Sequence, residues 1–372
     1  MDVARRLVKE GASVKVVMTE TACRFITPYT LETVTANPVG SDLFKDPFSH
    51  LNLPGDAHVL LIAPATANTI NKLNCGIADN LLSNIFLAYS GKTIIAPAMN
   101  PRMYKNPIVA KSIRNLLKSG IEFVGPVSGS LACGDEGVGR MADITDVVES
   151  VISAMTQKDL AGHKIIVTAG PTREYIDPVR FISNRSSGKM GYEIARAAVR
   201  RGAEVTLVSG PSALKPPGRV THLPVESATE MEDMVLKNLR GSNALIMAAA
   251  VSDFSPSSSK SSKIKKSDIT SIRLKRTSDI LMKAGGHKGR LILIGFAAET
   301  GKNLENARRK LKEKNLDIIV LNDISQKGSG FDVDTNIVTI INKEGEAVDY
   351  PKMKKIDVAN IILDSMSTLL PR

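Results

Sequence analysis

His50 stands in Pro47-Phe48-Ser49-His50-Leu51-Asn52-Leu53, just ahead of an apolar run. An imidazole there can serve as a base or electrostatic partner near neutral pH, although an isolated histidine is ordinarily structural or solvated. Asn100 ends Pro97-Ala98-Met99-Asn100. Its amide can donate to a carboxylate without adding a competing charge. Cys133 lies in the glycine-rich, charged stretch Ala132-Cys133-Gly134-Asp135-Glu136-Gly137. There it is either a working thiol or a small buried apolar side chain. Ala63-Pro64-Ala65-Thr66-Ala67-Asn68-Thr69 puts small hydroxyl and amide side chains at a strand end. By itself that is a βα turn.

The second half carries a different chemistry. Residues 165–174 read as a strand and a tight turn, Thr168-Ala169-Gly170-Pro171-Thr172-Arg173-Glu174. Ser186-Ser187-Gly188-Lys189-Met190-Gly191 then opens an amphipathic helix. Hydroxyls, backbone N–H groups and the positive helix end make an anion site, the alternative being a simple cap. The spacing fits neither a Walker loop nor a good GxGxxG fingerprint. Ala248-Ala249-Ala250-Val251-Ser252-Asp253 ends another strand, and Asp253 is acceptor-only when ionised, which suits an exocyclic amine. Lys263 opens Lys263-Ile264-Lys265-Lys266, a run that is ordinarily just solvated. Lys310 and Lys314 are spaced to share a helix face, so both can face one polyanion.

These residues need a scaffold of alternating strands and helices. Short apolar runs at 14–18, 58–63, 93–96 and 123–125 read as strands in the first half. Runs at 164–168, 204–208, 244–249, 291–295, 317–321 and 337–341 do so in the second. Amphipathic segments such as 191–201 and 303–314 separate them. The alternation predicts an α/β chain of parallel sheets covered by helices on both faces, with ligands at the carboxyl ends of the strands. A closing helix at 147–155 and a polar stretch at 156–163 mark a boundary, giving domains 1–156 and 157–372. The Ser/Pro-rich stretch 255–262 is expected to be mobile.

The order of these stretches resembles a known arrangement. Pro97-Ala98-Met99-Asn100 and Ala132–Met141 resemble the flavoprotein cysteine decarboxylases, and 168–174 with 183–191 resemble the phosphopantothenate–cysteine ligases. In that order they resemble the bifunctional decarboxylase/ligase family of coenzyme A biosynthesis, with two doubly wound Rossmann-like domains, flavoprotein-type and then ligase-type. The resemblance implies FMN held at Thr19, Thr66, Asn68, Thr69 and Ala98. It makes Asn100 the substrate-carboxylate ligand, Cys133 the thiol that completes the enethiol intermediate, and His50 the catalytic histidine. In the ligase half it gives the phosphate of phosphopantothenate to Ser186, Ser187 and Gly188, with Arg180 also matching. Asn184 would handle the acyl intermediate, and Lys263 would stabilise charge while that intermediate forms. The nucleotide, CTP, would meet Ala248, Ala249, Asp253, Lys263, the turn Ser278-Asp279-Ile280-Leu281, Phe296, Lys310 and Lys314. Mg²⁺ is implied by the phosphate charge, and a homo-oligomer by the trimers or larger sets of the flavoproteins. Those flavoproteins open with a strand and a Gly-Ser-Ile-type turn that binds the FMN phosphate. Here Met1 enters what resembles the end of the first helix. An N-terminally truncated chain without that strand and turn, and with weak flavin affinity, is therefore expected.

Composition agrees with small anionic substrates. The chain has 372 residues, 43% hydrophobic, and a net charge of +11. That charge fits a solvated basic surface, a nucleic acid or an anionic small molecule. Only 4% of residues are aromatic and Trp is absent, so base-stacking platforms are scarce and nucleic acid is disfavoured. Basic clusters at 260–266, 273–276 and 308–314 favour phosphorylated ligands. No run is long enough to cross a bilayer and no signal peptide is visible, so neither membrane nor export is expected. Three separated cysteines, Cys23, Cys75 and Cys133, fit a reducing cytosol. The competing readings are an NAD-dependent oxidoreductase, which the poor dinucleotide fingerprint disfavours, a ligase with a degenerate flavoprotein half, and a non-enzymatic scaffold subunit.

Overall fold

The computed structural model describes the chain except residues 46–47, 131–133, 135, 266–270, 300, 302, 327, 331 and 372. It divides into two compact units, Met1–Thr156 and Gln157–Arg372.

The first unit begins with α1 (Asp2–Lys9), β1 (Val16–Val17), α2 (Glu20–Cys23), α3 (Pro28–Thr35), β2 (Val39–Gly40) and α4 (Ser49–Gly55). Then come β3 (Val59–Ala65), α5 (Ala67–Cys75), α6 (Leu81–Ala88), β4 (Lys92–Pro97), α7 (Pro101–Lys105), α8 (Pro107–Lys118) and β5 (Glu122–Phe123). The hairpin β6 (Val127–Ser130) and β7 (Glu136–Arg140) precedes α9 (Ile144–Met155). Strands β3, β4 and β5 form a parallel sheet in that order, and β1 pairs with β2 separately. Strand side chains alternate between faces. Ile94 and Ala96 therefore pack with Leu7 of α1 and Val147, Val148 and Val151 of α9. Ile62 and Ile95 pack with Ile70 and Leu73 of α5 and Leu116 of α8.

The second unit runs β8 (Lys164–Ala169), β9 (Arg173–Tyr175), β10 (Phe181–Ser183), α10 (Lys189–Arg200), β11 (Glu204–Ser209), β12 (Val220–Pro224), α11 (Ala228–Leu239) and β13 (Ala244–Met247). It continues β14 (Phe254–Pro256), β15 (Leu274–Arg276), α12 (Ile280–Gly286), β16 (Ile292–Glu299), α13 (Leu304–Glu313), β17 (Ile318–Asp323), β18 (Thr335–Asn342), β19 (Ala347–Lys354) and α14 (Lys355–Ser367). The main sheet is ordered β12-β11-β8-β13-β16-β17-β18-β19. The first six of these strands are parallel, and the order reverses between β8 and β13, the crevice where open α/β sheets take ligands. Ile165 and Val167 of β8 face α10 and α14, while Ile166 faces α11, α12 and α13. Helices thus cover both faces, as the apolar runs require.

One expectation changes. The sheet is not parallel throughout: β18 lies antiparallel to β17, and β19 to β18. The β18–β19 connection is a tight turn closed by Gly345 N–H donating to the Asn342 carbonyl at 3.0 Å, a link too short for a parallel crossover. Two backbone amides of the 255–262 stretch are paired with other segments. Ser257 N–H donates to the Arg273 carbonyl at 2.9 Å and Lys260 N–H to the Ile176 carbonyl at 3.0 Å.

Candidate functional sites

In the first unit two strand ends meet. Thr66 follows β3 and caps α5: its Oγ1 accepts from Thr69 N–H at 3.3 Å and pairs with Thr69 Oγ1 at 3.2 Å. Asn68 is exposed in that first turn. Ala98 N–H donates to the Ala65 carbonyl at 2.9 Å, so the turn after β4 lies beside the turn after β3. Asn100 caps α7, its Oδ1 accepting from Arg102 N–H at 2.8 Å. Met99 N–H donates to the Gly139 carbonyl at 3.0 Å, which roots the β6–β7 hairpin next to Asn100. A Cβ at Gly139 would lie 2.2 Å from the Met99 carbonyl oxygen, so only glycine allows this approach. Cys133, between β6 and β7, lies outside the described residues.

His50 occupies the first turn of α4 with Nδ1 buried and unpartnered among the described residues. An orphaned ring nitrogen is costly unless a ligand or substrate group meets it. Thr19 sits at the end of β1, where its Oγ1 caps α2 by accepting from Ala22 N–H at 3.2 Å. Among the described residues no hydrogen bond joins it to the Thr66 or Asn100 turns.

In the second unit the residues converge more tightly. The turns after β8 and β13 are knitted together: Ala250 N–H donates to the Gly170 carbonyl at 2.9 Å, and Thr172 N–H to the Ala250 carbonyl at 3.3 Å. Ala249 N–H donates to Thr168 Oγ1 at 3.1 Å, and Ser252 N–H to Thr172 Oγ1 at 3.0 Å. Ala248 and Ala249 thus lie on the switch point itself. Asn184 reaches over the same junction, Nδ2 donating to the Ala250 and Val251 carbonyls at 3.3 and 3.0 Å. Asp253 ends the turn, exposed, its carbonyl accepting from Thr277 N–H at 3.0 Å.

The anion-site segment closes against this junction. Gly188 is the cap of α10 at φ 81°, a backbone state that suits glycine. A Cβ there would lie 3.1 Å from Gly170 N. Gly191, one turn on, packs so close that a Cβ would meet Ala169 Cβ at 2.6 Å. Ser186 Oγ accepts from Gly188 N–H at 3.3 Å, and the Ser187 carbonyl accepts from Ser212 Oγ at 2.9 Å.

Arg180 is oriented by a residue to which the sequence reading gave no role. Asp177, 1% exposed, accepts from Arg180 Nε at 3.0 Å and from the backbone N–H groups of Val179, Arg180 and Ile264 at 2.9, 2.9 and 3.2 Å. The Arg180 guanidinium and these amides hold its carboxyl well below the usual carboxylate range, against the opposing effect of burial. Arg180 Nη2 in turn donates to the Ile264 carbonyl at 2.8 Å, which binds the Lys263 loop to the 177–180 turn. Lys263 itself is exposed. The Asp-Pro step was the available signal, because an aspartate before proline folds back onto following amides.

Lys310 Nζ meets Glu299 Oε1 at 2.9 Å and Lys314 Nζ meets Asp279 Oδ2 at 2.7 Å. Ile280 and Leu281 point into the core, so only their backbone can meet a ligand. Asp279 caps α12 by accepting from Met282 N–H at 3.0 Å. Burial works to raise the Asp279 pKa, but Lys314 and the amides outweigh it and the group is lowered. Ser278 precedes that cap, half-buried. Phe296, on β16, is partly buried against the α10–α14 side of the core. A separate cavity of 260 Å³ opens beside Ser209, His222 and Glu226 near the ends of β11 and β12, and no predicted site residue lines it.

Among the described residues no group of three His, Cys, Asp or Glu could hold a metal ion, and no helix is long and apolar enough to cross a membrane.

Comparison with known proteins matches both units. Residues 1–156 match the family described as flavoprotein, and residues 160–370 the DNA/pantothenate metabolism flavoprotein C-terminal domain. The chain is 45% identical to the coenzyme A biosynthesis bifunctional protein CoaBC of Bacillus subtilis (strain 168), over 98% of this chain and 92% of that protein. It is 41% identical to the protein of the same name from Escherichia coli (strain K12), over 99% and 93%. A crystal structure of the C-terminal domain of such a bifunctional protein superposes with a TM-score of 0.50 at 45% identity, covering 57% of this chain and 98% of that one. The chain belongs to the bifunctional coenzyme A biosynthesis family, with a flavoprotein domain followed by a pantothenate-metabolism domain.

Proposed function

We propose that this protein performs two successive steps of coenzyme A biosynthesis: CTP-dependent ligation of cysteine to 4′-phosphopantothenate, then FMN-dependent decarboxylation of the product to 4′-phosphopantetheine. The ligase is assigned to 157–372 and the decarboxylase to 1–156. The observation that carries the reading is the junction at the β8–β13 switch point, where Asn184 bonds the Ala250 and Val251 carbonyls beside the Gly188 helix cap.

In the ligase, Ser186, Ser187 and Gly188 receive the substrate phosphate at the α10 N-terminus, with Arg180 directed by Asp177. The substrate carboxylate attacks the α-phosphate of CTP, forming the acyl-cytidylate and releasing pyrophosphate. Lys263 offsets the charge that develops there, and Asp253 accepts from the cytosine amine. The Ser278–Leu281 turn, Phe296, Lys310 and Lys314 hold the rest of the nucleotide. Lys310 and Lys314 must exchange Glu299 and Asp279 for phosphate oxygens. Asn184 then holds the acyl group while the cysteine amine attacks its carbonyl and CMP departs. Mg²⁺ travels on the triphosphate with water, the usual mode for this ion.

In the decarboxylase, bound FMN would supply the two-electron acceptor for the substrate thiol and, once reduced, would return the same two electrons to the enethiol left after CO₂ departs, so that the overall change is loss of CO₂ alone. Thr66, Asn68, Thr69 and Ala98 line the two adjoining strand ends where FMN would lie, with Thr19 contributing from the cap of α2. His50, with its orphaned Nδ1, assists proton removal from the thiol. Asn100 orients the carboxylate that leaves as CO₂, and Cys133, between β6 and β7 in the sequence, supplies the proton that completes the product. A cytoplasmic homo-oligomer is the expected form. The test is pyrophosphate release from the purified protein with phosphopantothenate and cysteine, using each of the four triphosphates. CTP should support it best. Release independent of phosphopantothenate would remove the ligase assignment.

A further inference from the structure

Lys355, the first residue of α14, is 3% exposed. A buried ammonium is costly unless its donors are met. Its Nζ donates to the Gly330 carbonyl at 2.9 Å and to the Val333 carbonyl, and its backbone N–H donates to the Asp334 carbonyl at 2.9 Å. Asn336, 2% exposed, accepts from Gly330 N–H at 3.3 Å and reaches Met190 Sδ on α10 at 3.7 Å. The 332–334 stretch is thereby pulled onto the start of α10.

The carboxylates of that stretch meet the two cations flanking the anion segment Ser186–Gly188. Arg185 donates from Nε and Nη2 to Asp332 Oδ2 at 2.8 and 2.7 Å. Lys189 Nζ donates to the Asp332 carbonyl at 2.8 Å and to Asp334 Oδ1 at 2.7 Å. The Arg185 and Asp334 side chains are largely exposed, so these pairs add little stability. What they do is fix the direction of two long side chains that are otherwise free. Three cations, Lys355, Arg185 and Lys189, thus lie among the carboxylates of Asp332, Asp334 and Glu193. Burial pushes the Lys355 amine down to about 8, with Lys189 adding to the effect and Asp334, Asp332 and Glu193 opposing it. The amine is therefore mostly charged at neutral pH.

We infer that Lys355 is a positioning residue which, through Asp332 and Asp334, aims Arg185 and Lys189 at the substrate phosphate and so sets the preference for phosphopantothenate over unphosphorylated pantothenate. The inference rests on the ligase reading above. A phosphate carrying about −1.5 to −2 charge gains from two aimed cations, whereas pantothenate has nothing there for them to meet.

The test compares ligation kinetics on the two acids for the wild-type protein, Lys355→Met, Asp334→Asn and the double variant. Each single change should raise KM for phosphopantothenate roughly tenfold, a loss of one charge-assisted contact's worth of binding. The kcat/KM for pantothenate and the KM for CTP should stay within about twofold, and the double variant should be no worse than the singles because they act as one unit. Equal losses on both acids, or a lowered KM for phosphopantothenate, overturns the inference while leaving the ligase reading intact. Should Lys355→Met fail to fold, Asp334→Asn decides alone, since its side chain is 87% exposed. Wild-type protein that releases no pyrophosphate with phosphopantothenate and CTP overturns both.

Discussion

Asn184 and Lys263 differ in their surroundings in a way that separates the two half-reactions. Asn184 is fixed on the β13 turn by two carbonyls, whereas Lys263 is exposed on a loop tied down through Ile264. Asn184→Ala should permit acyl-cytidylate formation and slow cysteine transfer, so the intermediate accumulates in quenched samples examined by mass spectrometry. Lys263→Ala should block formation itself. No accumulation in Asn184→Ala would count against the assignment. Asp177 carries a pH prediction. Its folded-state pKa is depressed by Arg180 and backbone amides. Its stabilisation is therefore complete above the unfolded value of about 4 and is lost as pH falls below that. Urea midpoints of wild-type protein and Asp177→Asn should differ at pH 6 and converge as pH falls below about 4. A gap that persists unchanged in acid would show that the carboxylate charge is not what matters.

At the scale of elements, the sequence revealed strands that are buried and concealed those that are not. Strands β8, β13 and β17 are continuous apolar runs because both faces are covered. Strand β19 is mostly exposed and β12 lies at the sheet edge, so neither offers such a run, and the arms β9–β10 and β14–β15 are too short to show a period. The turns of the candidate site were legible where backbone sets them, at Gly170, Gly188 and the Ala248–Ala250 turn. The candidate site was illegible where partners come from distant segments: Glu299 for Lys310, Asp279 for Lys314, and Asp332 for Arg185. Helical spacing predicts which side chains share a face, not which carboxylate reaches them first. The hairpin β6–β7 offers an element-scale test. Gly139→Val sets a side chain against the Met99 carbonyl, which must shift the hairpin root away from Asn100. A misplacement near 1 Å costs on the order of 100-fold in rate, so decarboxylation should fall by about that factor while pyrophosphate release is unchanged. Equal loss of both activities would mean that the substitution only unfolds the protein.

For the whole molecule, each unit has its own clusters of buried side chains: Ile62, Ile94 and Ile95 belong to the first, Ile165, Ile246 and Ile294 to the second. A separately crystallised C-terminal domain of a relative matches the second unit. Residues 157–372 expressed alone should therefore fold cooperatively and keep CTP-dependent ligation without decarboxylation. A molten or inactive fragment, seen by circular dichroism and pyrophosphate assay, would show that the ligase needs the first unit. The bifunctional assignment is tested most directly by timed mass spectrometry of one reaction containing the full chain, FMN, Mg²⁺, CTP, cysteine and phosphopantothenate. Phosphopantothenoylcysteine should rise first and then give way to phosphopantetheine, lighter by one CO₂. Product that stops at phosphopantothenoylcysteine, or no consumption of phosphopantothenate at all, would contradict it.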